Sequence, residues 1–125
     1  MNNVFRHDAI TLYGKVKDED FERFMKEELI PHFSKVYKGP TRSSNADLQS
    51  QSLFRDTKGH KYLWITVWDG SPESVRGSSF ENTRMSRVEG TEKTEAMLKK
   101  LESFGKRTAE KVFSEIDSIE VATNT

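Results

Sequence analysis

Apolar and polar residues alternate along Ala9-Ile10-Thr11-Leu12-Tyr13-Gly14-Lys15-Val16, with Ile10, Leu12 and Val16 on one side, and this period of two predicts a strand over residues 9–17. The period then changes. Phe21, Phe24, Met25, Leu29, Phe33 and Val36 recur at helical spacing and predict a helix over residues 18–38. Asp18 is placed to cap it, and Pro31, lacking a backbone donor, predicts a kink near Glu27 or Glu28. Gly39-Pro40 ends the helix and a polar loop follows.

Residues 48–68 read as a hairpin. A loop of Thr57-Lys58-Gly59 would pair Asp56 with His60 and place Phe54 opposite Tyr62. In that register Leu53, Leu63, Ile65 and Val67 share one face, and Phe54, Tyr62, Trp64 and Trp68 share the other. Ser71-Pro72-Glu73 opens a short helical turn. A polar stretch then runs to Gly90. Met97, Leu98, Leu101, Phe104, Thr108, Val112 and Ile116 form one stripe and predict a second helix over residues 91–116. Ile119 and Val121 alternate with Glu120 and Ala122, a short last strand over residues 118–123.

The order β-α-β-β-α-β predicts an α+β, ferredoxin-like domain: a four-stranded antiparallel sheet with two main helices on one face. The helices would cover the aliphatic face. The other face would carry Tyr13, Phe54, Tyr62, Trp64 and Trp68 with nothing in the chain to bury them, which marks a surface for a partner or ligand.

Composition narrows the classes. The 125 residues suit a single domain spanning the whole chain, and only 34% are hydrophobic, so the core is modest. Twenty Lys and Arg balance twenty Asp and Glu, which argues against binding nucleic acid or anionic membrane by bulk charge. The absence of Cys removes disulfides, thiolate nucleophiles and Cys-type zinc sites. With no apolar run long enough for a signal or a span, the chain reads as a soluble cytoplasmic protein. There is no phosphate-cradling Gly-rich loop, nucleophile elbow or HExxH.

In ITLYGKVK, the helix FERFMKEELIPHFSKVYKG, the hairpin SQSLFRD and KYLWITVWD, and the late helix MLKKLESFGKRTAEKVF, the chain resembles the dimeric α/β-barrel superfamily, which contains the antibiotic-biosynthesis-monooxygenase-like proteins. The resemblance implies a homodimer joined through the sheet faces, with a pocket between sheet and helices in each subunit. It implies a small apolar or aromatic ligand and, for an oxygenase, a readily oxidised quinol-type substrate that needs no cofactor. Haem-binding members use a proximal His from the second half of the domain. No His follows His60 here, so haem is set aside.

Three groups of residues carry candidate chemistry. Tyr13, Tyr62, Trp64 and Trp68, with Phe54, would form an aromatic wall for a flat ligand, or else dimer-interface core. Glu28 and His32, four residues apart, would make a carboxylate-oriented general base, or a hydrogen-bonded pair at the helix rim; two metal ligands would lack the rest of a set. Arg76, Arg84 and Arg87, with Asn82, would form a lid in which Arg84 pairs a substrate carboxylate, or a solvated surface. His7 and His60 are assigned no role. Two other classes fit the same pattern. One is a single-stranded RNA-binding module, in which Tyr62 and Trp64 of Lys61-Tyr62-Leu63-Trp64-Ile65 would stack on bases. The other is an assembly or regulatory dimer with no chemistry.

Overall fold

The computed structural model describes residues 3–38, 46–75 and 91–121. Strand β1 (Asn3–Leu12) is followed by a continuous helical run. This comprises α1 (Asp18–Phe24), one π-helical turn (Met25–Leu29) and α2 (Ile30–Val36). Then come β2 (Asp47–Arg55), β3 (Lys61–Asp69), the short α3 (Pro72–Val75), α4 (Thr91–Phe104) and β4 (Gly105–Ser114). All pairings are antiparallel in the order β2-β3-β1-β4. This is the ferredoxin-like arrangement that the pattern predicts.

The first strand begins six residues before the predicted start and ends at Leu12. Val4, Arg6, Asp8, Ile10 and Leu12 alternate as its buried side. Arg6 and Asp8 are fully buried charges, so a scan for apolar residues misses the N-terminal half. Tyr13 lies beyond the strand, half exposed, in a turn closed by the Val16 N–H donating to the Tyr13 carbonyl at 2.9 Å.

Lys17, not Asp18, takes the N-cap position of α1. Where Pro31 predicts a kink near Glu27 or Glu28, the helical run takes one π turn over Met25–Leu29. A proline ring clashes with the carbonyl four residues back, and widening one turn relieves that clash without ending the helix.

The hairpin register differs from the prediction by one residue. Arg55 pairs with Tyr62 and Leu53 with Trp64, leaving a four-residue loop from Thr57 to His60. Gly59 and His60 are both left-handed, at φ 79° and 62°. The Asp18 carboxylate stabilises this turn by accepting from the His60 N–H at 2.9 Å. Because strand side chains alternate, a slip of one turns each of them to the opposite face. Tyr62, Trp64, Thr66 and Trp68 therefore point at the helices, 4% exposed or less. Leu63, Ile65 and Val67 face away from them, with Phe5, Ala9 and Phe54 beside them.

The second long helix is also shorter than predicted. It stops at Phe104, and residues 105–114 form the sheet's second edge strand, taking the place expected of residues 118–123. Gly105 makes this possible. A Cβ there would lie 2.5 Å from the Thr11 carbonyl oxygen and 2.9 Å from the Leu12 Cα, both backbone atoms of β1. Residues 115–121 lie outside the sheet.

One core fills the space between sheet and helices. Phe33 packs edge-on to Trp64 at 4.9 Å, Tyr37 to Trp68 at 5.5 Å, and Phe21 tilts against Tyr62 at 4.7 Å. From α4, Leu101 is fully buried and Phe104 stacks on Phe24 at 5.1 Å. Among the described residues, no helix is long and apolar enough to cross a membrane.

Candidate functional site

The structure disperses the predicted aromatic wall. Trp64 and Trp68 are core residues whose indole N–H groups are satisfied internally, Trp64 by the Gln51 side-chain oxygen at 3.2 Å and Trp68 by the Thr66 hydroxyl at 2.7 Å. Tyr62 faces the Asp18 carboxylate at 2.9 Å and that of Glu22 at 2.5 Å. Burial first, and then these two carboxylates, push its phenol pKa far above the ordinary value. Only Tyr13 and Phe54 remain exposed, and they line different surface depressions. The RNA-binding reading placed Tyr62 and Trp64 on an open face. Both lie beneath the helices, and that reading falls with them.

Glu28 and His32 do not form the expected pair. Glu28 accepts from the Lys100 ammonium at 3.0 and 3.1 Å, whereas His32 Nε2 lies 2.6 Å from the Thr94 hydroxyl of α4. Burial, and then the charges of Lys93 and Lys35, lower the pKa of His32 and favour neutral imidazole. Among the described residues, no three His, Cys, Asp or Glu side chains converge as a metal site. Arg76, Asn82, Arg84 and Arg87 lie outside the described residues.

A different constellation occupies the N-terminal half of β1 and the facing part of β4. Arg6 and Asp8 are two apart and so lie on one side of the strand. They form a bidentate ion pair, Nε to Oδ2 at 2.9 Å and Nη2 to Oδ1 at 3.1 Å, with both side chains fully buried. The remaining arm of Arg6 donates to the Val75 carbonyl at 3.0 Å, and Nη2 also contacts Glu110 at 3.1 Å. Arg107 approaches Asp8 at 3.8 Å from one side and Glu102 at 3.6 Å from the other.

Arg107 and Glu110 line a groove of about 460 Å³ at the β4 edge, shared with Tyr13, Glu102, Lys106 and Thr108. The groove thus reaches from solvent to charges that contact the buried pair. Both ionic contacts of Arg107 are longer than hydrogen bonds, and its side chain is 28% exposed. Its guanidinium can therefore meet a ligand oxyanion, with the Tyr13 ring and the Thr108 hydroxyl in the same groove. His32 belongs elsewhere. Its partner Thr94 and the groove residue Glu102 are eight positions apart on α4, about 12 Å along the axis.

Of these residues the sequence singled out Tyr13 alone. Arg6 and Asp8 were legible as partners on one strand face only if the alternation of Ile10 and Leu12 is carried back through charged positions to Val4. Arg107 was hidden by its place in an apparent helix.

No family model and no curated protein matches the sequence. Solved structures do. A variant of SnoaB, a cofactor-independent oxygenase from Streptomyces nogalater, superposes with a TM-score of 0.63 at 13% identity, over 95% of this chain and 98% of that one. A protein from Bordetella bronchiseptica, named as a candidate antibiotic biosynthesis monooxygenase, gives 0.58 at 12% identity, over 95% and 100%. Its counterpart from Chloroflexus aurantiacus gives 0.57 at 11% identity, over 96% and 99%. Over nearly its whole length, the chain has the α+β ferredoxin-like fold of the antibiotic-biosynthesis-monooxygenase-like proteins.

Proposed function

We propose that the chain is a homodimeric small-molecule-binding protein that takes the anion of an aromatic, quinol-type compound into the Tyr13–Arg107 groove. We propose further that it promotes oxidation of this compound by dioxygen without a cofactor. The observation that carries the reading is the Arg107 guanidinium, partly exposed in a groove with an aromatic ring and held by contacts too long to satisfy its donors. A quinol gives up an electron far more readily once deprotonated. A fixed cation at its oxygen favours that anion, and the substrate supplies the electrons that a cofactor would otherwise carry. The groove is open to water, so the released proton has a direct route to solvent.

The dimer is supported by the sheet face turned away from the helices. It is apolar without the tryptophans, with Leu63, Ile65 and Val67 flanked by Phe5, Ala9, Phe54 and Phe113. Burying such a face against a second copy suits an isologous interface.

The test is titration with 1,4-dihydroxynaphthalene followed by amide NMR, together with oxygen uptake. Binding is expected to shift the resonances of Tyr13 and residues 105–110. Arg107→Met keeps the apolar stem and loses the charge, so it should weaken binding by roughly 10- to 100-fold, the value of a charge-assisted hydrogen bond. Shifts centred elsewhere, or equal affinity for the variant, would refute the site.

A further inference from the structure

The Tyr13–Arg107 groove holds a second charged group that faces solvent. Glu102 lies in the last turn of α4, two residues before the helix ends, and its side chain is 58% exposed. That is the unfavourable end for an acid, because the helix dipole is negative there. Its ion-pair partner offsets this poorly, since Arg107 Nη2 stands 3.6 Å from Glu102 Oε1, beyond hydrogen-bonding range. An acid kept against a local rule, beside a cation and in a groove, points to contact with a ligand.

The other carboxylates nearby are already engaged. Asp8 is fully buried and accepts two hydrogen bonds from Arg6, and Glu110 contacts Arg6 Nη2 at 3.1 Å. Among the described residues, Glu102 has no ion-pair partner closer than Arg107. The chain passes from α4 into β4 at Gly105 without a loop, so Glu102 and Arg107 are carried on two regular elements. Lys106 also lines the groove, but neighbouring strand residues project to opposite faces, so it does not join Arg107 on one small group. The groove therefore offers one cation and one acceptor side by side.

We propose that Glu102 sets the specificity of this groove, selecting an aromatic ring with two adjacent oxygens, one ionised and the other still carrying its proton. The oxyanion accepts from the Arg107 guanidinium, while the neighbouring hydroxyl donates to the Glu102 carboxylate. Adjacent ring oxygens match a donor and an acceptor 3.6 Å apart. The oxygens of a 1,4-diol lie at opposite ends of the ring and engage only one of the two. A ligand with two negative oxygens meets Glu102 as a like charge, so the same residue rejects it. This selection rests on the groove reading proposed above and narrows its substrate to the monoanion of a vicinal diol.

Three ligands on one naphthalene frame separate these contacts: 2,3-dihydroxynaphthalene, 2-naphthol and naphthalene-2,3-dicarboxylate. Each is titrated into the full-length protein in the absence of oxygen, with affinity read by calorimetry and location by amide NMR. The diol is expected to bind roughly 10-fold more tightly than 2-naphthol, the value of one hydrogen bond to a charged group. That comparison needs no variant. Glu102→Gln keeps an acceptor oxygen and removes the charge. It should tighten the dicarboxylate about 5-fold, the value of a unit charge about 4 Å away in water, and keep the diol ahead of 2-naphthol. Glu102→Met removes charge and acceptor together and should bring the diol down to the level of 2-naphthol. Equal affinity of the unaltered protein for the diol and 2-naphthol would overturn the role of Glu102 and leave the groove in place. So would a dicarboxylate affinity that Glu102→Gln does not change. Resonance shifts centred away from Tyr13 and residues 105–110 for all three ligands would remove the groove and its specificity together.

Discussion

Replacing Gly105 with Ala gives opposite signs for the two ways of reading the chain around it. If residues 91–116 were one helix, as their stripe suggests, Gly→Ala in its interior would stabilise the protein by roughly 0.5–1 kcal/mol. In the structure, Gly105 begins β4 opposite Leu12, and an added Cβ meets the Thr11 carbonyl oxygen at 2.5 Å, the Leu12 Cα at 2.9 Å and the Thr11 carbonyl carbon at 3.0 Å. These are backbone atoms at the closing pairs of the β1–β4 ladder and cannot rotate aside as a flexible side chain can. Relief requires parting β1 from β4, so the cost belongs at the upper end of the overpacking range, about 3 kcal/mol. For a domain of this size that corresponds to a fall of roughly 10 °C in Tm. Urea unfolding followed by far-UV circular dichroism measures it as a lower midpoint with unchanged slope. An equal or raised midpoint would refute the close approach and restore the continuous helix.

Removing one partner of the buried pair should be worse than removing both. Arg6→Met leaves the buried Asp8 carboxylate with only the long contact to Arg107 and should cost about 3 kcal/mol, whereas Arg6→Met combined with Asp8→Leu should recover most of that in the same urea assay. His32 makes stability pH-dependent. Its folded pKa lies below the ordinary 6.5, so the unfolded chain takes up the proton first. Its contribution is complete above that value and is lost as pH falls towards the folded pKa. His32→Gln should flatten this part of a stability profile measured between neutral and acidic pH. Trp64→Ala should lose about 3–5 kcal/mol as a core cavity. Its neighbour Ile65→Asp should leave the fold intact and weaken the dimer in native mass spectrometry; the reverse pattern would restore the predicted hairpin register.

Element order was legible because the change from period two to period 3.6 at Asp18 survives any local uncertainty, and so does the turn chemistry of Lys58-Gly59. What failed depended on contacts distant in sequence. The alternation of β1 runs through Arg6 and Asp8, which are admissible in a core only because they satisfy each other there. The helix ends at Phe104 because β1 offers residues 105–114 a ladder, a tertiary gain that overrides the helical spacing of Thr108 and Val112. The aromatic face was assigned to the wrong side by one residue of loop. Arg107 then emerged as a site residue only once β4 was known to be a strand.

That one residue of loop also bears on how the chain folds. The four-residue turn puts His60 in the left-handed region, which a non-glycine residue enters at a cost, and the carboxylate that compensates belongs to Asp18, forty-two positions earlier. The same oxygen accepts from the Tyr62 hydroxyl. An excised hairpin of residues 46–70 lacks this anchor and keeps only the contacts within its own turn and ladder. Strand alignment here therefore draws on the first turn of α1, and a chain in which that turn fails to dock would lose the contact that holds its tryptophans on the inner face.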